Sequence, residues 1–222
     1  MRHGRRQRLF QWSYHSVETE PVTVFPDGCL DVLIIHPPGA RTFVTLTPFD
    51  FHPRPVALLR GTAITGYRLR PGSAVDQPVL DAIAADFANA PGILSHDIGA
   101  ADDVGTVIDA LALPGASVGG AARSLGISVR TLQRHLAGLH LPPPDYWRLL
   151  ARARRAAAML ADHASLTDVA HSTGFADQAH MTREFVRWFG QTPGGLRRQP
   201  KVLDTLRQPA LGNWTGEQIS TR

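Results

Sequence analysis

Residues 117–136 read SVGGAARSLGISVRTLQRHL and residues 165–187 read SLTDVAHSTGFADQAHMTREFVR, and the two stretches are near-copies offset by about 48 residues. In the first, Ser117 precedes Val118, Ala121, Ala122 and Leu125, and a turn follows at Gly126-Ile127. In the second, Ser165 precedes Leu166, Val169, Ala170 and Thr173, and the turn falls at Gly174-Phe175. That spacing puts the apolar side chains on one helical face, and the glycine marks the end of the helix. A second helix is predicted after each turn. Ser128 N-caps the first, which buries Val129, Leu132 and Leu136; Asp177 N-caps the other, which buries Met181 and Phe185. Ser165-x-x-Asp168 reads as a capping box with reciprocal bonds to first-turn amides, whereas Gly120 in the acid's place gives the first copy a weaker start.

A short helix, a tight glycine turn and a second helix with a polar, basic face form the helix-turn-helix pattern, whose second helix can enter the major groove. The exposed faces are predicted to carry Arg130, Gln133 and Arg134 in one copy and Gln178, His180, Thr182, Arg183 and Arg187 in the other. Arginine pairs with the two acceptors of guanine, and glutamine with the acceptor and donor of adenine. A plain helical hairpin with solvated basic faces is the competing reading; repetition within a basic segment weighs against it. Pro142-Pro143-Pro144 stops the first copy, and a long helix is predicted over 145–161, with Tyr146, Leu149, Leu150, Ala153, Ala157 and Leu160 as its apolar stripe. It would hold the copies at a fixed separation, so that both recognition helices meet major grooves recurring after about 34–36 Å. Arg148, Arg152 and Arg155 line another face of this helix, either as a phosphate clamp or as a solvated, acid-paired row.

Charge is distributed in the same sense. Residues 1–116 carry 9 basic and 12 acidic side chains, residues 117–201 carry 12 and 5, and residues 202–222 carry 2 of each, within a formal net charge of +4 over 222 residues. A basic half beside an acidic half points the former toward a polyanion. With 43% apolar and 19% charged residues the chain has a globular composition, and the length allows one large domain or two small ones. No apolar run reaches the roughly 18 residues of a spanning helix. The basic stretch 1–8 leads into LFQWS, not an apolar core segment, so no secretory signal is expected and the expected location is the cytoplasm. The single cysteine, Cys29, excludes a disulfide framework and a Cys-rich zinc module.

Residues 20–70 read as strands between Pro/Gly turns: Val22 to Phe25, Cys29 to Ile35, Thr42 to Thr47, Val56 to Leu59 and Ile64 to Leu69, with Pro26-Asp27-Gly28 as a turn in which Gly28 takes a positive φ. Two helical faces follow, Val79, Leu80, Ile83, Ala84 and Phe87, then Val104, Val107, Ile108 and Leu111. Pro114-Gly115-Ala116 is the expected boundary. The expected architecture is α+β and multidomain: a small β-rich domain at 1–114 (antiparallel sheet, sandwich or barrel, with helices), an all-α domain of two helix-turn-helix units at 115–200, and a tail at 201–222. The tail is polar and short on periodicity and reads as mobile, with Leu203, Leu206 and Leu211 able to pack locally.

With those residues in view, 117–198 resembles the DNA-binding domain of the AraC/XylS family of bacterial transcription regulators. The resemblance is most specific in Ser165, Val169-Ala170, Gly174-Phe175, Asp177-Gln178, Arg183, Phe185, Gly190, Thr192-Pro193 and Arg197; the first half agrees at Ala121-Ala122, Leu125 to Ser128, Leu132, Arg134 and Leu136. It implies two units joined by a long helix on one asymmetric site, with base-facing positions at Arg130, Gln133, Arg134, Gln178, Thr182 and Arg183, and His180 beside them. Ser128, Arg148, Arg152 and Arg187 are the expected phosphate contacts. The family often has glycine after the first recognition helix, where His140 or Leu141 stands here. Met181 replaces an aromatic residue or leucine. Pro26-Asp27-Gly28-Cys29-x-Asp31 with Arg68-x-Arg70-Pro71-Gly72 looks like the sensor-type domain that precedes this unit in some members. The implied partners are double-stranded DNA, a small-molecule effector, RNA polymerase and a second copy of the chain. Neither a cofactor, a metal nor an enzymatic activity is expected.

The alternative is a Cys29-centred enzyme or metal-dependent sensor, with His36 and His52 meeting Cys29. Buried free cysteine is commonly inert, which favours a core role. A methyl-acceptor role needs a zinc-bound Cys cluster, and one cysteine cannot supply it. Asp27 and Asp31 can form an acid pair or be an ordinary turn and strand-edge residue. No H-E-x-x-H, P-loop or G-x-G-x-x-G sequence occurs.

Overall fold

The computed structural model describes residues 9–97, 102–162 and 164–214. The basic stretch at 1–8 and the last residues of the expected tail, 215–222, lie outside them. Six strands come first: β1 Leu9–His15, β2 Glu20–Val24, β3 Asp31–His36, β4 Phe43–Leu46, β5 Arg54–Leu58 and β6 Ala63–Leu69. β1, β6, β3 and β4 form one antiparallel sheet in that order, and β2 pairs with β5 in a separate ribbon. The sheet is open, with β1 and β4 at its edges, and is not a barrel. β1 is the strand missing from the sequence reading. It pairs Leu9 with Leu69 across most of the domain, and Trp12 lies on Gly66, where a Cβ would come within 2.1 Å of its indole.

Helices α1, Gln77–Ala85, and α2, Ala90–Asp97, bring Val79, Ile83, Ala90 and Leu94 into one core with Val32, Ile34, Tyr67 and Leu69 of the sheet. Pro91 and Gly92 sit in the first turn of α2, where a missing N–H costs no intrahelical bond. Helix α3, Asp102–Ala112, packs across the expected boundary. Its Val104, Val107, Ile108 and Leu111 belong to the core of the helical half, so the turn around Pro114 does not separate two cores.

The remaining helices are α4 Val118–Ser124, α5 Val129–Gly138, α6 Pro144–Met159, α7 Leu166–Ser172, α8 Gln178–Phe189, α9 Pro193–Arg197 and α10 Pro200–Arg207. α6 is the axis. Tyr146, Trp147, Leu150, Ala151, Ala153, Ala156 and Ala157 are all buried, so the helix is covered well beyond a single apolar stripe. α10 corrects the reading of a mobile tail: Leu203 and Leu206, with Leu211 beyond it, join the core through the local packing that their apolar side chains allow. No helix among the described residues is long and apolar enough to cross a membrane.

The two halves meet in a buried polar junction. Gly28, at φ 73, turns the chain after Asp27, and Arg68 pairs with Asp27 at 2.8 Å and with Asp31 at 3.1 Å. Arg154 of α6 is 3% exposed and donates to the carbonyls of Pro26 (3.3 Å), Leu206 (2.8 Å) and Gln208 (3.2 Å). The Leu211 amide donates to the Asp27 carbonyl at 3.0 Å, and a Cβ on Gly28 would come within 2.7 Å of Leu211. Burial pushes the Asp27 carboxyl above its ordinary range against the pull of Arg68; burial alone would lower the Arg68 pKa, but its two carboxylates hold it above the usual value. Aromatic contacts extend the seam: Phe49 meets Trp147 at 5.5 Å, Phe25 meets Phe189 at 6.4 Å, and the Tyr146 hydroxyl donates to the Asp50 carbonyl at 3.0 Å. Removing Arg68 leaves two little-exposed carboxylates without their counter-charge. Arg68→Ala is therefore expected to lower the unfolding free energy in urea by about 3–5 kcal/mol; a loss under about 1 kcal/mol, the size of a solvated surface pair, would contradict this account.

Candidate nucleic-acid interface

The two predicted units close by the same backbone device. After α4, Gly126 takes φ 68, and its amide and that of Ile127 donate to the carbonyls of Arg123 and Ala122, each at 3.0 Å. After α7, Gly174 takes φ 78, and the amides of Gly174 and Phe175 donate to His171 at 3.1 Å and Ala170 at 2.9 Å. This pair of bonds is the Schellman closure, which needs a left-handed residue at the glycine position. The caps match as well: Ser117 accepts from the Gly120 amide, Ser128 from Thr131, Ser165 from Asp168 and Asp177 from His180. The capping box departs from its expected form, because the Ser165 hydroxyl donates to the Asp168 carboxylate at 2.5 Å. Leu132, Leu136, Met181 and Phe185 are fully buried as expected, but Val129 is 37% exposed. At the first turn of α5 it lies at the edge of the buried face.

The structure places Arg130, Gln133 and Arg134 exposed on α5 and Gln178 and Arg183 exposed on α8, with His180 and Thr182 half-buried. Arg130, Gln133, Arg134 and Arg183 form no hydrogen bond or ion pair with another described residue. The rest of the α8 group has internal partners. Gln178 accepts from the Thr167 hydroxyl at 3.2 Å, Thr182 donates to the Gln178 carbonyl at 2.9 Å, and the His180 ring stands edge-on to Phe175 and accepts from the Ala176 amide at 3.4 Å.

The expected phosphate contacts all have internal partners. The Ser128 hydroxyl caps α5 and bonds Thr131, and Arg187 lies over the Trp188 ring with Glu184 at 3.9 Å. Arg148 pairs with Asp145 at 2.6 Å, while Arg152 stacks over Phe175 at 4.4 Å and donates to the Gly174 carbonyl at 3.2 Å. Arg155 donates to the Ala112 carbonyl at the end of α3. Burial lowers the pKa of Arg152, against the pull of the Glu184 carboxylate, and that of Arg155, and the neighbouring arginine adds to the effect at each. Sequence reasoning missed Arg154, the fully buried arginine of the junction. It is adjacent to Arg155, and only the phase of the packed helix separates their surroundings.

α5 ends with a third Schellman closure, in which the amides of His140 and Leu141 donate to Ala137 and Leu136, each at 3.0 Å. His140 carries the left-handed φ, at 56, where the family often has glycine. Left-handed backbone costs a residue with a Cβ about 1–2 kcal/mol, and glycine recovers most of it less its chain entropy. His140→Gly is expected to raise stability by about 0.5–1 kcal/mol in a urea titration; a decrease would show that the imidazole contributes more than the backbone strain removes.

In the N-terminal half, Cys29, His36 and His52 do not converge. Cys29 is 3% exposed, its amide donates to Asp27, and burial pushes its thiol well above the ordinary range. His36 bonds Thr42, and His52 reaches the Arg187 carbonyl at 3.4 Å. Among the described residues no three His, Cys, Asp or Glu side chains are grouped as metal ligands. Asp27 and Asp31, weighed as an acid pair, share Arg68 between them. A raised pKa keeps the thiol protonated through neutral pH, so Cys29 is expected to resist a disulfide-exchange reagent at pH 8 and to react once urea unfolds the chain; rapid labelling of the folded protein would contradict its burial.

Residues 121–199 match the family described as a helix-turn-helix domain. No curated protein matches the chain significantly. Solved structures resembling it include a DNA-binding transcriptional dual regulator from Escherichia coli K-12, at 20% identity and TM-score 0.38 over 44% of this chain and 90% of that one. They also include the transcriptional regulator CdpR from Pseudomonas aeruginosa, at 22% identity and TM-score 0.34 over 63% of this chain and 47% of that one. ToxT from Vibrio cholerae aligns at 9% identity and TM-score 0.46 over 90% of this chain and 98% of its own. The C-terminal region is an AraC-type helix-turn-helix domain.

Proposed function

We propose that the protein binds one asymmetric DNA site through both helix-turn-helix units, which lie in neighbouring major grooves, under the control of a signal received by the β-rich half. The observation that carries this reading is the matched pair of capped, Schellman-closed units, each followed by a helix with exposed arginine. Arg130, Gln133 and Arg134 serve as base-reading donors of the first unit, and Gln178, Thr182 and Arg183, with His180, serve the second. Ser128 and Arg187 contact the phosphate backbone, which positions the protein and makes affinity fall with salt. Arg148 and Arg152 share a cavity with Arg155 and do not enter this assignment. The buried junction supports the control step, since Arg154 belongs to the helix that joins the two units and bonds the turn of the β-rich half. DNA selected from a random pool by the full chain is expected to show two separated base preferences. Arg130→Ala should cost about 1–3 kcal/mol on that site and relax the preference at one position. Unchanged affinity and selectivity would remove Arg130 from the interface.

A further inference from the structure

Beyond that reading, and without depending on it, we propose that the cavity beside α6 binds a small free anion bearing a phosphate group. The cavity encloses about 190 Å³ and is lined by Arg148, Arg152 and Arg155 of α6, by Leu113 and Ala116 from the turn between α3 and α4, and by Gly174 from the turn between α7 and α8. One water needs about 10–15 Å³ of such space, so a phosphate fits. The three guanidiniums carry many more N–H donors than their internal acceptors use. Asp145 accepts from Arg148, Gly174 from Arg152 and Ala112 from Arg155, each through a main-chain or carboxylate oxygen. The Arg152 Nε is buried with no acceptor. Like charges held this close in a partly buried place repel one another, and the Asp145 carboxylate on Arg148 is 62% exposed. A planar fork of donors recognises a phosphate through paired, charge-assisted bonds.

The cavity's position separates it from the duplex reading. None of Arg130, Gln133, Arg134, Gln178, Thr182 or Arg183 lines it. Its walls come from the entrance to the first unit, from the connecting helix and from the turn of the second unit. A bound anion would therefore touch both units at once and fix their relative placement.

The test is thermal unfolding of the full chain with inorganic phosphate against chloride at equal ionic strength. Phosphate at roughly ten-fold excess over its dissociation constant is expected to raise the midpoint by about 3–6 °C. Arg155→Gln should abolish the rise. Leu113→Glu, at a side chain 60% exposed and therefore tolerant of change, should place a carboxylate at the mouth and abolish it too. A midpoint that phosphate leaves at the chloride value overturns the proposal, as does an equal rise in both variants. So does an Arg155→Gln protein that loses about one unit of salt slope on duplex DNA without any wild-type response to phosphate, since the arginines then meet the DNA backbone. Because the readout needs no DNA, its failure is distinct from failure of the duplex assignment.

Discussion

Arg68 stands between Asp27 and Asp31 with almost no water around it, and the register of the molecule follows from that ion cluster. Charges removed from water are tolerated only where counter-charges and hydrogen bonds replace the lost hydration. Arg68 is on β6, Asp31 on β3 and Asp27 in the turn before it, so satisfying one guanidinium fixes three pieces of backbone at once. Trp12 adds a fourth by donating to Asp31 at 3.4 Å. Arg154 brings in α6, and its carbonyl acceptors at Leu206 and Gln208 bring in the chain after α10. The helix that joins the two helix-turn-helix units is thus the same one that bonds the turn of the β-rich half.

Local signals were legible in the sequence and distant ones were not. The caps at Ser117, Ser128, Ser165 and Asp177 and the glycine closures at Gly126 and Gly174 are decided within a few residues of backbone, and they stand where the pattern put them. The departure at His140 was visible for the same reason: a left-handed closure is a one-residue requirement. β1 was not legible, because its pairing with β6 joins Leu9 to Leu69 and no turn chemistry announces it. Helices α9 and α10 were not marked either, although each opens on proline, a residue suited to a helix's first turn. The junction was hidden for a third reason. Arg154 follows Arg152 and precedes Arg155, and nothing in the letters says that one of these charges is sealed inside while its neighbours face a cavity.

The two units are alike in backbone and unlike in constraint. α5 leaves Arg130, Gln133 and Arg134 without internal partners, whereas Gln178, His180 and Thr182 on α8 already hold local bonds. The end of α8 is also held from outside: His52 reaches the Arg187 carbonyl, and Pro53 lies 3.4 Å from the place a Cβ would take on Gly190. The loop between β4 and β5 therefore touches α8 at the end remote from its N-cap.

The strap of bends and turns from Gln208 to Asn213 changes what counts as a separable piece of this protein. Asn213 ties it off by donating to Arg207 and Gln208 and accepting from the Ala210 amide, while Leu211 fills the space beside Gly28. A gene fragment trimmed at 115 and 200 would omit both α3 and this strap, and the wall left behind would be a sticky apolar face in place of a finished surface. Both helix-turn-helix units share one core with α3, α10 and Leu211, and Arg154 ties that core to the turn at Pro26 near the other end of the chain.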